Sequence, residues 1–337
     1  MDTLVPHFSC SPVLDKTVSL EEMRILIVCS RREYSPHTDY MAPFVYEQMK
    51  AIQSLGVECR AILVERGVKG YLNSLAQVRK TIKEFSPDII HAHYGLCGLI
   101  ANSQRNVPVV STFHGTDLHD KPLRFLSIVS VLLSKRNIVV SEELRRSLPR
   151  QKSISVIPCG VNSDLLVPMN KDEAALKLGW NPKDKHILFS KEFYNTTKNY
   201  PLAKAAVDMY NATYSQGEHA ELLEFIGYTR EQVLLLYNAV DCVIMTSNHE
   251  GSPQFIKEAM ACNCPIVSVD VGDVKSVISS TDGCYIAERD PADIAKKLDL
   301  AIHFGKTNGR GKVLVQYDSK IIAKKVIKVY EEVLRHE

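Results

Sequence analysis

The sequence predicts an α/β protein with two domains, each built on a parallel sheet that helices cover on both faces. A chain of 337 residues is longer than one hydrophobic core usually accommodates. Short β-branched runs alternate with helical stretches, which is typical of strand–helix–strand units. The alternation pauses once, at the Pro/Gly turn of residues 158–162, and then starts again. Two Rossmann-like domains that face each other across a cleft are therefore the predicted architecture.

The first round of alternation starts at Arg24 and the second at Ile187. The first contains candidate strands over residues 24–29, 57–64, 88–91, 109–113, 138–141 and 153–157. The second contains candidate strands over residues 187–190, 222–226, 242–245, 266–269 and 284–287. Apolar residues at helical spacing predict helices over residues 42–55, 200–213, 229–239, 253–262, 291–303 and 319–335.

These patterns divide the chain into four parts. Residues 1–22 form a loosely attached extension, residues 23–160 the first domain and residues 161–318 the second, and residues 319–337 are a closing helix. In open parallel sheets, ligands bind beyond the carboxyl ends of the strands. The segments that follow such strands carry unusual polar residues at positions 91–93, 114–117, 191–198 and 248–253. We expect all four segments to meet in one cleft.

Composition places the chain among globular proteins that do not span a membrane. Hydrophobic residues make up 45% and charged residues 24%, and no apolar run is long enough for a membrane helix. Residues 1–22 lack the pattern of a secretory signal. The nine cysteines are odd in number and mostly lie in apolar runs, which favours reduced thiols and a cytoplasmic location.

Charge is unevenly distributed, although the net charge is only +2. Residues 1–160 carry +5 and residues 161–337 carry −3. Most of the excess is a basic run, made of Lys121, Arg124, Lys135, Arg136, Arg145, Arg146, Arg150 and Lys152. Such a run is most often a solvated face. The interleaved aromatics of a nucleic-acid binder are missing, so nucleic acid is not an expected partner.

Residues 248–265 are the most informative segment. Ser252 suits a helix N-cap, Pro253 suits the first helical position, and Asn263 suits a left-handed residue at the helix end. A helix that begins behind Gly251 would present free amides and a positive dipole end to an anion such as a diphosphate. The small Gly251 would let backbone approach that anion closely.

Two glutamates flank this predicted anion site. Glu250 precedes the helix, and Glu258 is expected on an exposed face in its second turn. Carboxylates do not bind phosphate, so the natural partners of these two are hydroxyl groups, as on a ribose and a hexose.

This segment resembles the signature of retaining glycosyltransferase family 4, E-G-x-P-x-x-x-x-E-A-M-A-x-x-x-P-[IV]-V. The resemblance extends over nearly the whole chain from Arg24 and includes residues 138–144, 155–162, 237–241 and 283–285. It implies the GT-B fold, with an acceptor-binding first domain, a donor-binding second domain and a final helix that returns to the first. It also implies glycosyl transfer with retention of configuration, from a UDP or GDP sugar and without a further cofactor, as in polysaccharide biosynthesis.

The resemblance assigns roles to individual residues. The catalytic set is His114, Lys198 and Glu250, in which His114 reaches the transferred sugar, Lys198 neutralises the leaving diphosphate and Glu250 contacts the donor sugar. Glu258 is implied to bind the donor ribose. The full donor-binding set is Lys191, Lys198, Gly251, Ser252, Pro253, Gln254 and Glu258.

The chain departs from the family pattern in three places. Lys191 stands where the family commonly has the arginine of a Gly-Arg pair, and lysine cannot make a planar two-pronged contact. The loop of residues 31–40 lacks the usual glycine pair, and the stretch from Lys198 to Glu250 is shorter than in many members. The acceptor side is therefore the less defined one.

Other interpretations of these residues remain open at this point. His91 and His93 project to one strand face and suit either a metal site or hydrogen-bonded cleft or core residues. No metal is expected, because three or four ligands would have to converge. A nucleotide-sugar epimerase or hydrolase, or a non-catalytic binding module, would share the same architecture. The resemblance implies a glycan or a lipid-linked acceptor. The apolar residues 122–137 and their basic neighbours are either a buried helix or a dock for the anionic inner face of a membrane.

Overall fold

The structure, a computed structural model, describes residues 19–32, 39–65, 67–119, 121–149 and 153–335. Its amino-terminal domain contains a parallel sheet in the order β2-β1-β3-β4-β5-β6. The strands are β1 (Arg24–Ser30), β2 (Glu58–Val64), β3 (Ile89–His93), β4 (Val109–Phe113), β5 (Arg136–Val139) and β6 (Ile154–Val156).

The carboxyl-terminal domain contains a second parallel sheet in the order β11-β10-β9-β7-β8. The strands are β7 (Lys185–Phe189), β8 (Ala220–Leu223), β9 (Cys242–Met245), β10 (Ile266–Val269) and β11 (Cys284–Ala287). In each sheet the strand order reverses once, between β1 and β3 and between β7 and β9. Ligands bind at such reversals, beyond the carboxyl ends of the two strands.

Helices alternate with these strands. Those of the first half are α1 (Pro43–Gln53), α2 (Gly67–Phe85), α3 (Gly95–Ala101), α4 (Thr116–His119), α5 (Lys121–Leu133) and α6 (Glu142–Arg146). Those that follow are α7 (Lys171–Lys177), α8 (Tyr200–Thr213), α9 (Arg230–Ala239), α10 (Gln254–Ala261), α11 (Val274–Ile278), α12 (Pro291–Phe304), α13 (Gly309–Lys312) and α14 (Ser319–Arg335). The predicted α/β architecture, with its two rounds of strand and helix, is confirmed.

Two predicted strands are displaced by about two residues. Strand β5 was expected to extend to Ser141, but the Ser141 hydroxyl accepts a hydrogen bond from the Leu144 amide and caps α6. A capping residue belongs to the helix start, so the strand ends earlier. Strand β8 was expected to reach residue 226 but ends at Leu223, because its only partner β7 pairs with it no further than Leu188.

The final helix α14 completes the core of the amino-terminal domain. Its buried face packs with α1 and with strand residues such as Ile25 and Val110. The two chain crossings between the domains lie side by side, since Val161 pairs with Asp318 and the Ser319 amide donates to the Val161 carbonyl. The domains are thus joined by one two-stranded hinge.

Helix α5 turns small polar residues inward. Ser127 and Ser130 are buried against α3, and a Cβ added at Gly95 or Gly98 would lie 2.0 Å from the facing serine Oγ. Close approach of the two helices therefore depends on both glycines.

Part of the apolar surface of α5 faces outward, although Val131 is fully buried. Phe125 is 69% exposed, and Leu132 and Leu133 are also exposed. The interpretation of residues 122–137 as a buried helix therefore holds only in part: Val131 and the two serines are buried, but these three large apolar residues are not.

The basic run that surrounds α5 is partly neutralised. Arg136 lies 3.8 Å from Glu332, and Arg145 lies 3.3 Å from Glu142. Arg124 donates to two backbone carbonyls. Arg150, Lys152 and the side chain of Lys121 lie outside the described residues. So do residues 33–38 of the loop 31–40 and most of the predicted extension.

The thiols of the described cysteines are all free. Burial raises the pKa of Cys242 well above its usual value and that of Cys264 in the same direction, so these thiols stay protonated and unreactive. This agrees with the predicted reduced state.

Candidate active site

A cleft of about 1150 Å³ lies between the two sheets and is lined by both domains. The structure brings together in it every site residue predicted from the sequence, namely His114, Lys191, Lys198, Glu250, Gly251, Ser252, Pro253, Gln254 and Glu258. The loops that carry these residues follow β4, β7 and β9. Two of those strands, β7 and β9, flank the reversal of the carboxyl-terminal sheet.

Lys198 and Glu250 form an ion pair on the carboxyl-terminal wall of the cleft. A short turn of 3₁₀ helix, Thr196–Lys198, places the lysine, and the left-handed Asn199 starts α8 immediately behind it. The Thr246 hydroxyl donates to the Lys198 carbonyl at 2.9 Å and ties this turn to the end of β9. Both charges are largely buried yet border the cleft, so a ligand can reach them by entering it.

Helix α10 begins one residue later than predicted. Its N-cap is Pro253, which makes no side-chain cap, and Ser252 instead donates to Asp273 at 2.5 Å. The prediction of Ser252 as the N-cap is therefore wrong, because a buried carboxylate outcompetes the helix amides for its hydroxyl. The first-turn amides of α10 remain without a side-chain cap at the edge of the cleft, as an anion site requires.

Glu258 is buried, with only 8% of its surface exposed, so its predicted position on an exposed helix face is wrong. Its carboxylate accepts from Arg230 at 2.9 Å and from the Tyr237 hydroxyl at 3.1 Å. Both partners lie on α9. Each carboxylate oxygen keeps a free lone pair for a ligand hydroxyl.

Arg230 also crosses to the other domain. Its second Nη lies 2.8 Å from Glu47 on α1. Burial alone would lower the pKa of Arg230, but the two carboxylates outweigh burial, and the pKa is raised. Burial raises the pKa of Glu47. This Glu47–Arg230–Glu258 bridge holds the two walls of the cleft together.

Gly251 lies directly against the opposite domain. A Cβ at this position would lie 2.4 Å from the carbonyl oxygen of His114 and 3.1 Å from Val140. The sequence suggested that this glycine makes room for an anion. The structure shows a further reason for its small size, which is contact with the opposite domain.

His114 lies on the amino-terminal wall with its ring between Phe44 and Tyr94, at centroid distances of 4.6 and 4.9 Å. Its Nε2 shares a hydrogen bond of 3.1 Å with His93, and its Nδ1 lies 3.7 Å from the Cys159 thiol. Burial lowers the pKa of His93 to about 3 and that of His114 well below its usual value, so both rings are neutral. His114 therefore brings no positive charge to the cleft, and both of its ring nitrogens face protein partners.

The turn that carries His114 is organised by Asp117. Its carboxylate accepts from the amides of His114, Gly115 and Gly95. Burial raises the pKa of Asp117 to about 6, against the effect of these amides. Asp117 therefore fixes the loop and is not oriented toward the cleft as a base.

His91 is a hydrogen-bonded core residue, one of the two interpretations that the sequence left open. Its ring nitrogens share hydrogen bonds with Tyr330 of α14 at 2.6 Å and with Thr112 at 2.7 Å. Within the described residues, no three His, Cys, Asp or Glu side chains converge as a metal site.

Several residues in and behind the cleft were not found from the sequence. Glu47, Tyr94 and Arg230 line it without belonging to any motif, and Lys257 lies fully buried behind it. Lys257 donates to the Ser252 hydroxyl at 2.7 Å and to the Cys159 carbonyl at 3.1 Å, so it ties the loop before α10 to the interdomain hinge. A lysine within the apolar pattern of α10 was the one available signal.

Comparison with known families agrees with this geometry. Residues 27–165 match the family model "Glycosyltransferase Family 4", and residues 203–303 match the model "Glycosyl transferases group 1". The two matches together cover most of the chain and fall on its two domains. The two halves of the chain therefore match glycosyltransferase domain models, on the GT-B fold.

Curated GT-B relatives are distant. The putative teichuronic acid biosynthesis glycosyltransferase TuaC of Bacillus subtilis is 24% identical over 260 residues, 67% of this chain and 64% of the relative. The D-inositol 3-phosphate glycosyltransferase of Mycobacterium sp. (strain KMS) is 24% identical over 266 residues, 66% of this chain and 61% of the relative. The chain thus spans less than two thirds of the length of these relatives.

Solved structures share the GT-B fold over nearly the whole chain. Sucrose-phosphate synthase of Thermosynechococcus elongatus has a TM-score of 0.75 at 18% identity and covers 94% of this chain and 100% of its own. Anabaena Alr3699/HepE, solved with UDP and glucose, has a TM-score of 0.67 at 15% identity and covers 92% and 100%. These likenesses confirm the fold. Along the described ranges, no helix combines the length and apolar character needed to cross a bilayer.

Proposed function

We propose that the protein transfers a glycosyl group from a nucleoside-diphosphate sugar, with UDP or GDP as the nucleotide, to an acceptor hydroxyl in glycan biosynthesis. The observation that carries this proposal is the Lys198–Glu250 pair beside the uncapped start of α10, across the cleft from His114. This arrangement supplies a diphosphate site, hydroxyl acceptors and a facing wall for a sugar.

The donor diphosphate would bind to the first-turn amides of α10 and to Lys198. These donors sit in a cleft between two domains, where electrostatic interactions are stronger than in bulk water. Lys191 borders the same space and pairs with Glu192 at 2.8 Å. Its compact charge would add to the site without the two-pronged contact of an arginine.

The donor ribose would bind to Glu258, whose remaining lone pairs suit the two ribose hydroxyls. Arg230 and Tyr237 hold that carboxylate in one orientation, so a ligand would not have to order it. The small residues between Glu250 and Gln254 would let the donor diphosphate approach the protein backbone closely.

The chemical step requires stabilisation of the leaving diphosphate. As the donor bond breaks, negative charge grows on that group, and the Lys198 ammonium is positioned to move from Glu250 to it. Glu250 would then hold hydroxyls of the transferred sugar. We propose that the acceptor oxygen bonds to the anomeric carbon on the face from which the diphosphate leaves, so that configuration is retained without a protein nucleophile. The acceptor proton passes to the departing diphosphate oxygen, and cationic side chains act in place of a metal ion.

A donor screen tests this proposal. UDP and GDP are added at 100 times their dissociation constants, where a specific ligand stabilises the fold by about 2.7 kcal/mol. We expect one of them to raise the unfolding temperature of the wild type and Lys191→Met to weaken that effect. A protein that binds neither nucleotide contradicts the donor assignment.

Turnover then separates transfer from its alternatives. Release of nucleoside diphosphate that depends on an added glycan or lipid-linked acceptor supports glycosyl transfer. Release at the same rate without any acceptor would indicate a hydrolase or an epimerase. Binding without release across a broad acceptor panel would indicate a non-catalytic binding module.

We further propose that the amino-terminal domain docks on an anionic membrane surface through the outward face of α5. A large apolar side chain such as Phe125 gains about 2 kcal/mol when it leaves water. Lys135 is exposed at the end of the helix and adds charge complementarity to anionic lipid headgroups. Several arginines of the basic run already have partners within the protein. The apolar face therefore makes the larger contribution to membrane binding. A lipid-linked acceptor would be presented at such a surface.

Vesicle sedimentation tests the membrane proposal. Phe125→Glu should reduce binding to anionic vesicles by about tenfold, since the lost transfer free energy is at least 1.4 kcal/mol. Leu176→Glu is the matched control, because Leu176 is an equally exposed apolar residue on α7 of the other domain. High salt should weaken binding only a few-fold. Absence of binding, or equal effects of both variants, would remove the membrane proposal and favour a soluble acceptor.

A further inference from the structure

Arg32 differs from the other cations of the cleft. In the described part of the chain, the basic side chains that line the cleft are Arg32, Lys191, Lys198 and Arg230. Each of the last three has a carboxylate within 4 Å. Arg32 has no such partner among the described residues, and its guanidinium donates to the Tyr94 hydroxyl at 3.2 Å.

Tyr94 does not neutralise that charge. Burial raises the pKa of Tyr94 to about 12, so its side chain is a neutral phenol at physiological pH. The phenol oxygen accepts from Arg32, and its own proton is left to donate to a ligand. A guanidinium has five N–H donors, of which this contact uses one. The pair therefore offers several donors and a net positive charge.

The location of the pair is that of a ligand site. Arg32 follows β1 and Tyr94 follows β3, and the strand order of the amino-terminal sheet reverses between these two strands. Tyr94 also has a backbone φ of 73°, a conformation that is uncommon for a residue with a side chain and tends to occur at functional sites. Its ring lies against His114 at 4.9 Å, so the pair adjoins the residue that the resemblance assigns to the transferred sugar.

We propose that Arg32 and Tyr94 bind an anionic group, a phosphate or a carboxylate, on the acceptor. This inference rests on the proposed function, because it assigns the anion to the acceptor side of that reaction. The donor diphosphate site belongs to the carboxyl-terminal wall, with Lys198 and α10. An acceptor anion held on the amino-terminal wall orients the attacked hydroxyl toward the sugar and confines transfer to charged acceptors.

The test uses glycerol 3-phosphate and D-glucuronate as anionic probes and glycerol and D-glucose as their neutral counterparts. Dissociation constants are measured by calorimetry on the free protein and on protein saturated with UDP or GDP. We expect both anions to bind in both states and the neutral compounds not to bind. Arg32→Gln should weaken anion binding at least tenfold, as loss of a charge-assisted hydrogen bond does, and Arg32→Lys should restore part of it.

Arg31→Gln is the matched control, because Arg31 is the neighbouring arginine but lies 3.9 Å from Glu65 and does not line the cleft. It should bind the anions like the wild type. Anion binding that nucleotide abolishes would place the anion at the donor diphosphate and overturn the proposal. Wild-type affinity in Arg32→Gln, or no anion binding in the free protein, would also overturn it. Failure of UDP and GDP to bind would instead contradict the donor assignment. In that case, titration of the two anions into the free protein would still decide the role of Arg32.

Discussion

Replacement of Gly251 by alanine should separate the two walls of the cleft. The added Cβ would lie 2.4 Å from the His114 carbonyl oxygen, where an ordinary contact is at least 3.4 Å. The backbone on both sides belongs to packed loops, so the domains must move apart by about 1 Å. A displacement of that size at a reacting centre can reduce the rate by about 100-fold. We therefore expect kcat/KM for transfer to fall by about two orders of magnitude.

The assay is release of nucleoside diphosphate in the presence of acceptor, combined with the affinity for nucleoside diphosphate alone. That affinity should stay close to that of the wild type, because Lys198, α10 and Glu258 all belong to one domain. Gly311→Ala is the control, since nothing lies within 4 Å of a Cβ there. Unchanged kcat/KM in Gly251→Ala would refute the steric argument. An equal loss of nucleotide affinity would show that the damage lies within the donor domain.

Three further predictions concern charges in and near the cleft. Glu258→Ala should weaken nucleoside-diphosphate binding by about tenfold or more. Lys198→Ala should lower kcat more than affinity, and Glu250→Ala should impair transfer with affinity nearly intact. Equal shifts in affinity for all three variants would contradict these roles. Arg230→Gln breaks a largely buried bridge between the domains, so it should lower the free energy of unfolding by about 3 kcal/mol in urea titrations. It should also increase the radius of gyration measured by small-angle scattering. An unchanged radius of gyration would show that the bridge does not hold the cleft closed. His93 has a lowered pKa in the folded state, so the unfolded chain binds more protons between pH 6.5 and about 3. Stability should therefore fall as pH drops below 6.5, by about 1.4 kcal/mol per pH unit from this residue, and His93→Gln should flatten that slope in thermal unfolding.

The order of strands and helices was predictable because periodicity is a local property of sequence. Strand β4, for example, was assigned its correct bounds from β-branched residues alone. The cleft residues were predictable for a second reason: they follow the carboxyl ends of parallel strands, and topology gathers such loops. His114 and Lys198 lie far apart in sequence yet line one cavity.

Burial within α10 was not predictable from its own sequence. The apolar stripe through Phe255 and Met260 indicated one buried face, and Glu258 was placed on the other as exposed. Both faces of α10 are buried in the structure. Arg230 and Tyr237 of α9 contact Glu258 and shield it from solvent. Only the tertiary arrangement brings those partners together, so no pattern within one helix could indicate the contact.

The orientation of α5 was not predictable for a related reason. Large apolar residues normally mark the buried side of a helix, but the contact surface here was determined by glycines of α3. The sequence contains both features, about 30 residues apart, without any local sign that they meet.

The return of α14 to the first domain has a consequence during synthesis of the protein. Strand β6 and α14 are separated by roughly 160 residues, and α14 supplies Ile322, Val326 and Tyr330 to the first core. At about 5 to 20 residues per second, a ribosome needs on the order of 10 to 30 s to make that stretch. The amino-terminal sheet must wait this long with one apolar face uncovered, while the second domain, whose segments are contiguous, can fold first. A chaperone that binds nascent chains would accordingly meet its exposed target on β1 and α1.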